Sequence, residues 1–427
     1  MIGRFAIVAV AAALLAAGCG SRGPASSATS SPPQSAGSGL EASAVGISPT
    51  QIRIATIQDV GGPVPGLFES AKDAMVAFVA YVNSTGGLDG RKLVLDPFDA
   101  QISPTNFQVA TQQACADDFA IVGSYSVGDN GGVAVGSQCG IPMVPAATTA
   151  PQVLAASNVV SPLPVKPNVF GTGYYHWLAQ TYPDAVKKAG ILYPDNQVTR
   201  VAAARVVGTA ETQGFHFVED QQVNLIQVDF TSYILDMKRK GVQFFSWGAD
   251  NQAAGRILTQ AQQQGWHPQV FDLTAAAYTQ TFLKASAPVA QGALISLPIA
   301  LFEERSSNPA MATYLHWLDK AVPNHVPPDI FGVSAWSAGL LFVKALKQLG
   351  PNPTRSQLLS ALHSIKYWNG DGIQAPSDPG DAGGAKCFVV VKVQGDRFVR
   401  VHPAAPNTFD CTGTEYTVPG IAPASSQ

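Results

Sequence analysis

The chain has 427 residues, with 26 Lys and Arg against 29 Asp and Glu and a formal net charge of −3. This near-balance, with no basic stripe, argues against nucleic acid as a partner, and the one long apolar segment lies at the N-terminus. Roughly 380 residues follow the first 45, more than one hydrophobic core normally organises, so two domains are expected.

Met1 to Arg4 supplies a positive start, and an apolar run from Phe5 to Ala17 follows. The run is shorter than the about 20 residues a membrane span needs, and small residues come after it, which is the pattern of a secretory signal peptide over residues 1–18. From Gly20 to about Ala44 the chain is mainly Ser, Ala, Gly, Pro and Thr, with Arg22 and Glu41 its only charges. Without an apolar period this stretch reads as a flexible tether, spanning about 25–30 Å between its ends.

Past residue 46, short β-type runs alternate with helical ones. Ile52–Ile57 predicts a strand and Gly61–Gly66 a turn. Leu67, Phe68, Ala71, Ala74, Met75, Phe78, Val79 and Val82 recur as one face of a helix that ends within Thr85–Gly90. Lys92–Leu95 predicts the next strand, followed by a helix from about Thr105 to Asp117 and a strand over Ala120–Gly123. The alternation resumes with predicted strands Ala189–Tyr193, Gly214–Val218, Val242–Trp247, Val270–Leu273 and Ala293–Leu297, and with helices such as Val198–Gln213 and Asn251–Gln264. Phe331–Leu349 predicts a long helix, and Cys387–Val393 with Arg397–Val401 a hairpin turned at Gln394–Asp396. Strands separated by helices of this length build parallel sheets by right-handed crossovers. The expected fold class is therefore α/β, with two doubly wound parallel-sheet lobes.

Besides Cys19, the cysteines are Cys115, Cys139, Cys387 and Cys411. An even number in an exported chain points to two disulfides. Three pairings are open, and the local one, Cys115–Cys139 with Cys387–Cys411, is expected. Zinc is the competing use, though no CxxC or HxxxH spacing is present. No metal and no cofactor are expected.

The run Leu15-Ala16-Ala17-Gly18-Cys19 resembles the lipobox of bacterial lipoproteins, in which the Cys thiol is acylated and becomes the new N-terminus. The alternative is an ordinary signal peptide with a chance cysteine. Acylation of Cys19 implies attachment to the outer side of the cell membrane, with residues 19–45 as anchor and linker.

Val82-Asn83-Ser-Thr-Gly86-Gly87-Leu-Asp-Gly90-Arg91, followed by Asp99, resembles the branched-chain amino-acid-binding family of periplasmic binding proteins. A second match is Gly140-Ile-Pro-Met-Val-Pro145-Ala146-Ala147-Thr148-Thr-Ala-Pro151. The resemblance covers about residues 48 to 405. It implies a type I periplasmic binding protein-like fold whose lobes are joined by a three-crossover hinge. Lobe one would be 46–168 plus 299–385, lobe two 169–298 plus 386–420, and 421–427 a tail. It also implies an extracytoplasmic binding protein, not an enzyme. Such a protein captures a small polar or amphipathic molecule between the lobes and presents it to the permease and ATPase subunits of an ABC importer. A tethered sensor for a membrane signalling partner uses the same fold. A secreted hydrolase is the rival class, without a Gly-x-Ser-x-Gly elbow, His-Glu-x-x-His or Walker loop to support it.

By the same resemblance, the Ser124–Ser126 loop and the Ala146–Thr148 turn hold the ligand's carboxylate. This makes Tyr125, Ser126, Ala146 and Thr148 candidates, although Tyr125 could equally pack under the cleft rim. The family's usual acid on lobe two is absent from Leu273–Tyr278. Asp250 is its candidate replacement, or else the cap of the helix that starts at Asn251. Tyr278, with Tyr125 and Trp247, suits a larger or more aromatic ligand, or packs in the core.

Overall fold

A computed structural model describes residues 39–421, apart from 149 and 385. The signal peptide, Cys19 and most of the tether lie outside the described residues. The first alternating run forms β1 (Gln51–Gln58), which buries Ile52, Ile54 and Ile57. In α1 (Glu69–Ser84) the three- and four-residue spacing puts Ala71, Ala74, Met75, Phe78 and Val82 on one buried face. β2 (Lys92–Asp99) pairs with β1 in parallel, from Gln51 opposite Lys92 to Gln58 opposite Asp99. α2 (Pro104–Asp117) begins with proline in its first turn, and the Ser103 side chain accepts the Asn106 amide. β3 (Ala120–Val122), α3 (Val133–Cys139) and β4 (Met143–Val144) complete a four-stranded sheet in the order β2-β1-β3-β4.

The Asn83–Arg91 motif is scaffolding. The Asn83 amide exchanges two 2.8 Å hydrogen bonds with the Leu93 backbone, fastening the end of α1 to β2. Gly87 has φ +78°, and a Cβ there would lie 2.0 Å from the Arg91 carbonyl oxygen. Arg91 is fully buried and donates to the carbonyls of Ser48, Pro351 and Glu41, so its charge is spread over backbone oxygens.

After α4 (Pro151–Leu154) and β5 (Val169–Gly171) the chain enters a second body. There α5 (Gly173–Thr181), β6 (Ala189–Pro194), α6 (Gln197–Glu211) and β7 (Phe217–Val223) come first. α7 (Thr231–Lys240), β8 (Phe244–Trp247), α8 (Asn251–Gln263), β9 (Val270–Leu273), α9 (Gln280–Ser286) and β10 (Leu294–Leu297) follow. The chain then returns to the first body with α10 (Pro309–Ala321), α11 (Ile330–Leu346) and α12 (Arg355–Ser364). α11 lies close against α1: a Cβ at Gly339 would meet the Phe78 ring at 2.6 Å, and Trp336 packs edge-on to Phe78. Finally β11 (Val389–Gln394) and β12 (Arg397–His402) form the expected hairpin, and β13 (Glu415–Thr417) pairs with β5.

The second sheet has the order β12-β11-β10-β9-β8-β6-β7. Its pairs from β7 through β10 are parallel, whereas β10–β11 and β11–β12 are antiparallel, so the hairpin makes this sheet mixed. The chain passes between the bodies three times. The first passage runs from Val159, which bridges to Met143, to β5; the second from Leu297 to Ile299; the third from Gln374, which bridges to Ile299, to β11. Both disulfides form in the expected local pairing, Cys115–Cys139 and Cys387–Cys411. One strand is displaced from its expected place: Gly214 turns the chain with φ +91°, and the strand begins only at Phe217.

Candidate functional site

A cavity of about 400 Å³ lies toward the carboxyl ends of β6, β8, β9 and β10, where open α/β sheets place their ligands. Its floor follows from strand register. Ile191, Ser246 and Asp272 stand opposite one another on β6, β8 and β9, so alternation turns all three to one face. Trp247, Leu273 and Leu297 continue the wall, α5 contributes Tyr174 and Tyr175, and α6 contributes Ala202, Ala203 and Val206. The three passages between the bodies supply Lys166, Pro298 and Cys387.

A few charged and polar side chains punctuate this apolar wall. Asp272 accepts hydrogen bonds from the Tyr174 hydroxyl at 2.6 Å and the Ser246 hydroxyl at 2.9 Å. Burial pushes its carboxyl up to about 6, against the pull of those two donors. Arg205 stands on α6, its guanidinium carbon 5.2 Å from the Phe170 ring centroid. Its Nη1 donates to the Lys166 carbonyl at 3.2 Å, while its Nε is buried without an acceptor. Desolvation lowers the Arg205 pKa, and Tyr175 partly offsets this. Lys166 and Lys386 line the same cavity, Lys386 with Glu415 at 3.9 Å.

None of the six ligand residues expected from sequence lines this cavity. On the first body, Ser126 and Thr148 are buried and already engaged. The Ser126 hydroxyl donates to Asp59 at 2.9 Å and the Thr148 hydroxyl to Asp129 at 2.6 Å. Burial raises Asp129 to about 6, the Thr148 and Asn130 hydrogen bonds oppose the rise, and the nearby Asp59 adds to it. Ala146 is buried beside them in the core. Tyr125 packs between Phe331, 5.0 Å away and stacked, and Phe68, edge-on at 4.2 Å. On the second body, Asp250 caps α8, its Oδ1 accepting the Ala253 amide at 2.8 Å. Tyr278 is core: it is fully buried, stacks on Phe302, donates to Glu303 and accepts the Phe302 amide at 2.9 Å.

Sequence reasoning did not single out Arg205, Asp272, Lys166 and Tyr174, which line this cavity. For two of them a signal was present: Arg205 interrupts the apolar stretch Val201–Val207, and Asp272 interrupts the strand Val270–Leu273.

The chain matches the periplasmic binding protein family over residues 51–397 and belongs to it. One relative is the leucine-, isoleucine-, valine-, threonine- and alanine-binding protein of Pseudomonas aeruginosa. It is 23% identical over 302 residues, covering 70% of this chain and 79% of the relative. A fatty acid ABC transporter substrate-binding protein from Thermomonospora curvata shares the fold at a TM-score of 0.72 and 19% identity, covering 85% of this chain and 94% of that one. A branched-chain amino acid transporter substrate-binding protein from Streptococcus pneumoniae, in complex with isoleucine, does so at 0.67 and 17%, covering 82% and 100%. The fold is that of the type I periplasmic binding proteins, and these relatives are substrate-binding transport proteins, not enzymes.

Proposed function

We propose that this chain is the solute-binding component of an ABC importer, held outside the cytoplasm by lipid on Cys19. Its ligand carries a sizeable apolar body that fills the cavity beside β6, β8 and β9. The cavity carries this reading: at about 400 Å³ it falls within the 300–1,000 Å³ range common for small-molecule sites. Its walls are mainly aromatic and aliphatic, with few polar groups. The fatty-acid name of the Thermomonospora curvata protein agrees with an amphipathic ligand. In this reading the permease and ATPase subunits receive the closed, loaded form. Ser126, Thr148 and Tyr125 belong to the body that closes over the ligand by hinge motion.

Each buried methylene contributes about 0.8 kcal/mol, roughly fourfold in affinity. Calorimetric titration with straight-chain amphiphiles of increasing length should therefore show affinity climbing until the cavity is full. Ala202→Phe, which places a ring in the cavity, should lower affinity for the longer members roughly tenfold or more by removing that contact area. Affinity independent of chain length, or an Ala202→Phe variant that binds like the parent, refutes the assignment. For the anchor, Cys19→Ala should move the protein from the membrane to the soluble fraction, and retention with unchanged mobility refutes lipidation at Cys19.

A further inference from the structure

Arg205 lines the cavity with its Nε buried and without an acceptor, as are those of Arg256 and Arg355 elsewhere in the fold. An arginine taken largely out of water is costly unless an anion or several oxygens receive its donors. Arg91 in this same chain shows the satisfied case, with three backbone carbonyls around it. Arg205 has the Lys166 carbonyl for Nη1, a ring face at Phe170, and a buried Nε that donates to nothing. Among the described residues no carboxylate lies within ion-pair distance of it. Lys166, on the same rim, has no ion-pair partner among the described residues either.

The acid that shares the cavity does not fill this role. Both Asp272 oxygens accept from Tyr174 and Ser246. At the other place expected to hold an anion, the Ser126 and Thr148 hydroxyls donate to Asp59 and Asp129, carboxylates that would repel a second anion beside them.

We propose that Arg205, supported by Lys166, is the receptor for the anionic end of the ligand, a monocarboxylate whose apolar body lies along Tyr174, Tyr175, Ile191 and Leu273. The inference rests on the cavity assignment above and adds to it the charge and polarity of the ligand. Recognition of the anion is thus a property of α6 and the first passage, not of the Ser126 and Thr148 loops. A carboxylate gives the guanidinium the charge-assisted, two-oxygen partner that its fork geometry suits.

Decanoate and decanol separate the two readings, because they share a tail and differ in the charged head. In calorimetric titration of the exported full chain, decanoate should bind more tightly than decanol. Arg205→Met should weaken decanoate roughly 10- to 100-fold, the scale of a hydrogen bond to a charged group, and leave decanol within about twofold. Arg205→Lys should recover part of the preference. The ligand-free Arg205→Met protein should melt no lower than the parent, since an unpaired buried charge has been removed. Equal affinity of the parent for both probes, or an equal loss of both in Arg205→Met with a lowered melting temperature, overturns the charge inference while the cavity assignment stands. Failure of both probes to bind the parent overturns the two together.

Discussion

Asp250 ends the extended segment after β8, and its carboxylate accepts the Ala253 amide at the start of α8. Its own carbonyl accepts the Trp247 indole at 2.9 Å, which fixes that ring in the cavity wall. Losing such a cap costs about 1 kcal/mol. Asp250→Ala should lower the midpoint of denaturant unfolding accordingly and leave the affinity for an amphipathic ligand within about twofold, since the backbone carbonyl that holds Trp247 survives. A large loss of affinity at unchanged stability would return Asp250 to the ligand. The choice between cap and ligand was open in the sequence because an acid before a helix serves either purpose. Arg205 and Asp272 were visible as polar interruptions of apolar stretches. What satisfies or fails to satisfy them was not, because the partners of Asp272 lie 98 and 26 residues away along the chain.

At the scale of elements, periodicity was enough for β1 and α1, whose buried faces have the expected members. It failed for β7, an edge strand that exposes Asp220, Gln221 and Gln222 and therefore lacks apolar alternation. α10 and α12 were announced by start signals that periodicity alone overlooks. Asn308 caps α10 ahead of Pro309, and Thr354 with Gln357 forms a capping box on α12. The Asn83–Arg91 motif, through which the resemblance to the family was read, fastens α1 to β2 and holds a turn. The disulfides were legible from the even number of cysteines, with the local pairing one of three open, and each closes a separation of 24 residues, worth about 3 kcal/mol in the chain-entropy view.

Among the described residues across the whole molecule, burial raises five acids above the ordinary carboxylate range, Glu303 and Asp329 along with three that are raised furthest. Burial, with the neighbouring Asp96, raises Asp118 to about 8, and Asp129 and Asp272 stand at about 6. In the unfolded chain each would titrate near 3.9. The native state therefore binds more protons than the unfolded state between about pH 4 and those raised values, and stability falls as pH rises through the window. The acids held low, Asp99, Asp229, Asp236 and Asp410, act in the opposite sense but only in more acid solution. Thermal unfolding should accordingly occur at a higher temperature near about pH 5.5 than near about pH 7.5, with each group adding at most about 1.4 kcal/mol per pH unit. Asp272→Asn should shrink the difference. A melting temperature that falls on acidification over this interval contradicts the assignment.

Cys387 belongs to two structures at once, the wall of the cavity and the bridge to Cys411. Without the bridge, the third passage is joined to the segment before β13 at that point by the reciprocal Phe388–Asp410 backbone pair. The shape of this cavity is therefore tied to the thiol chemistry of the compartment. In an oxidising exterior this wall is covalently closed, and in a reducing cytoplasm it would rest on non-covalent contacts, the Phe388–Asp410 hydrogen bonds and the Lys386–Glu415 pair among them. In the function proposed above, the passage across the membrane that brings the chain to its solute is also what closes this wall.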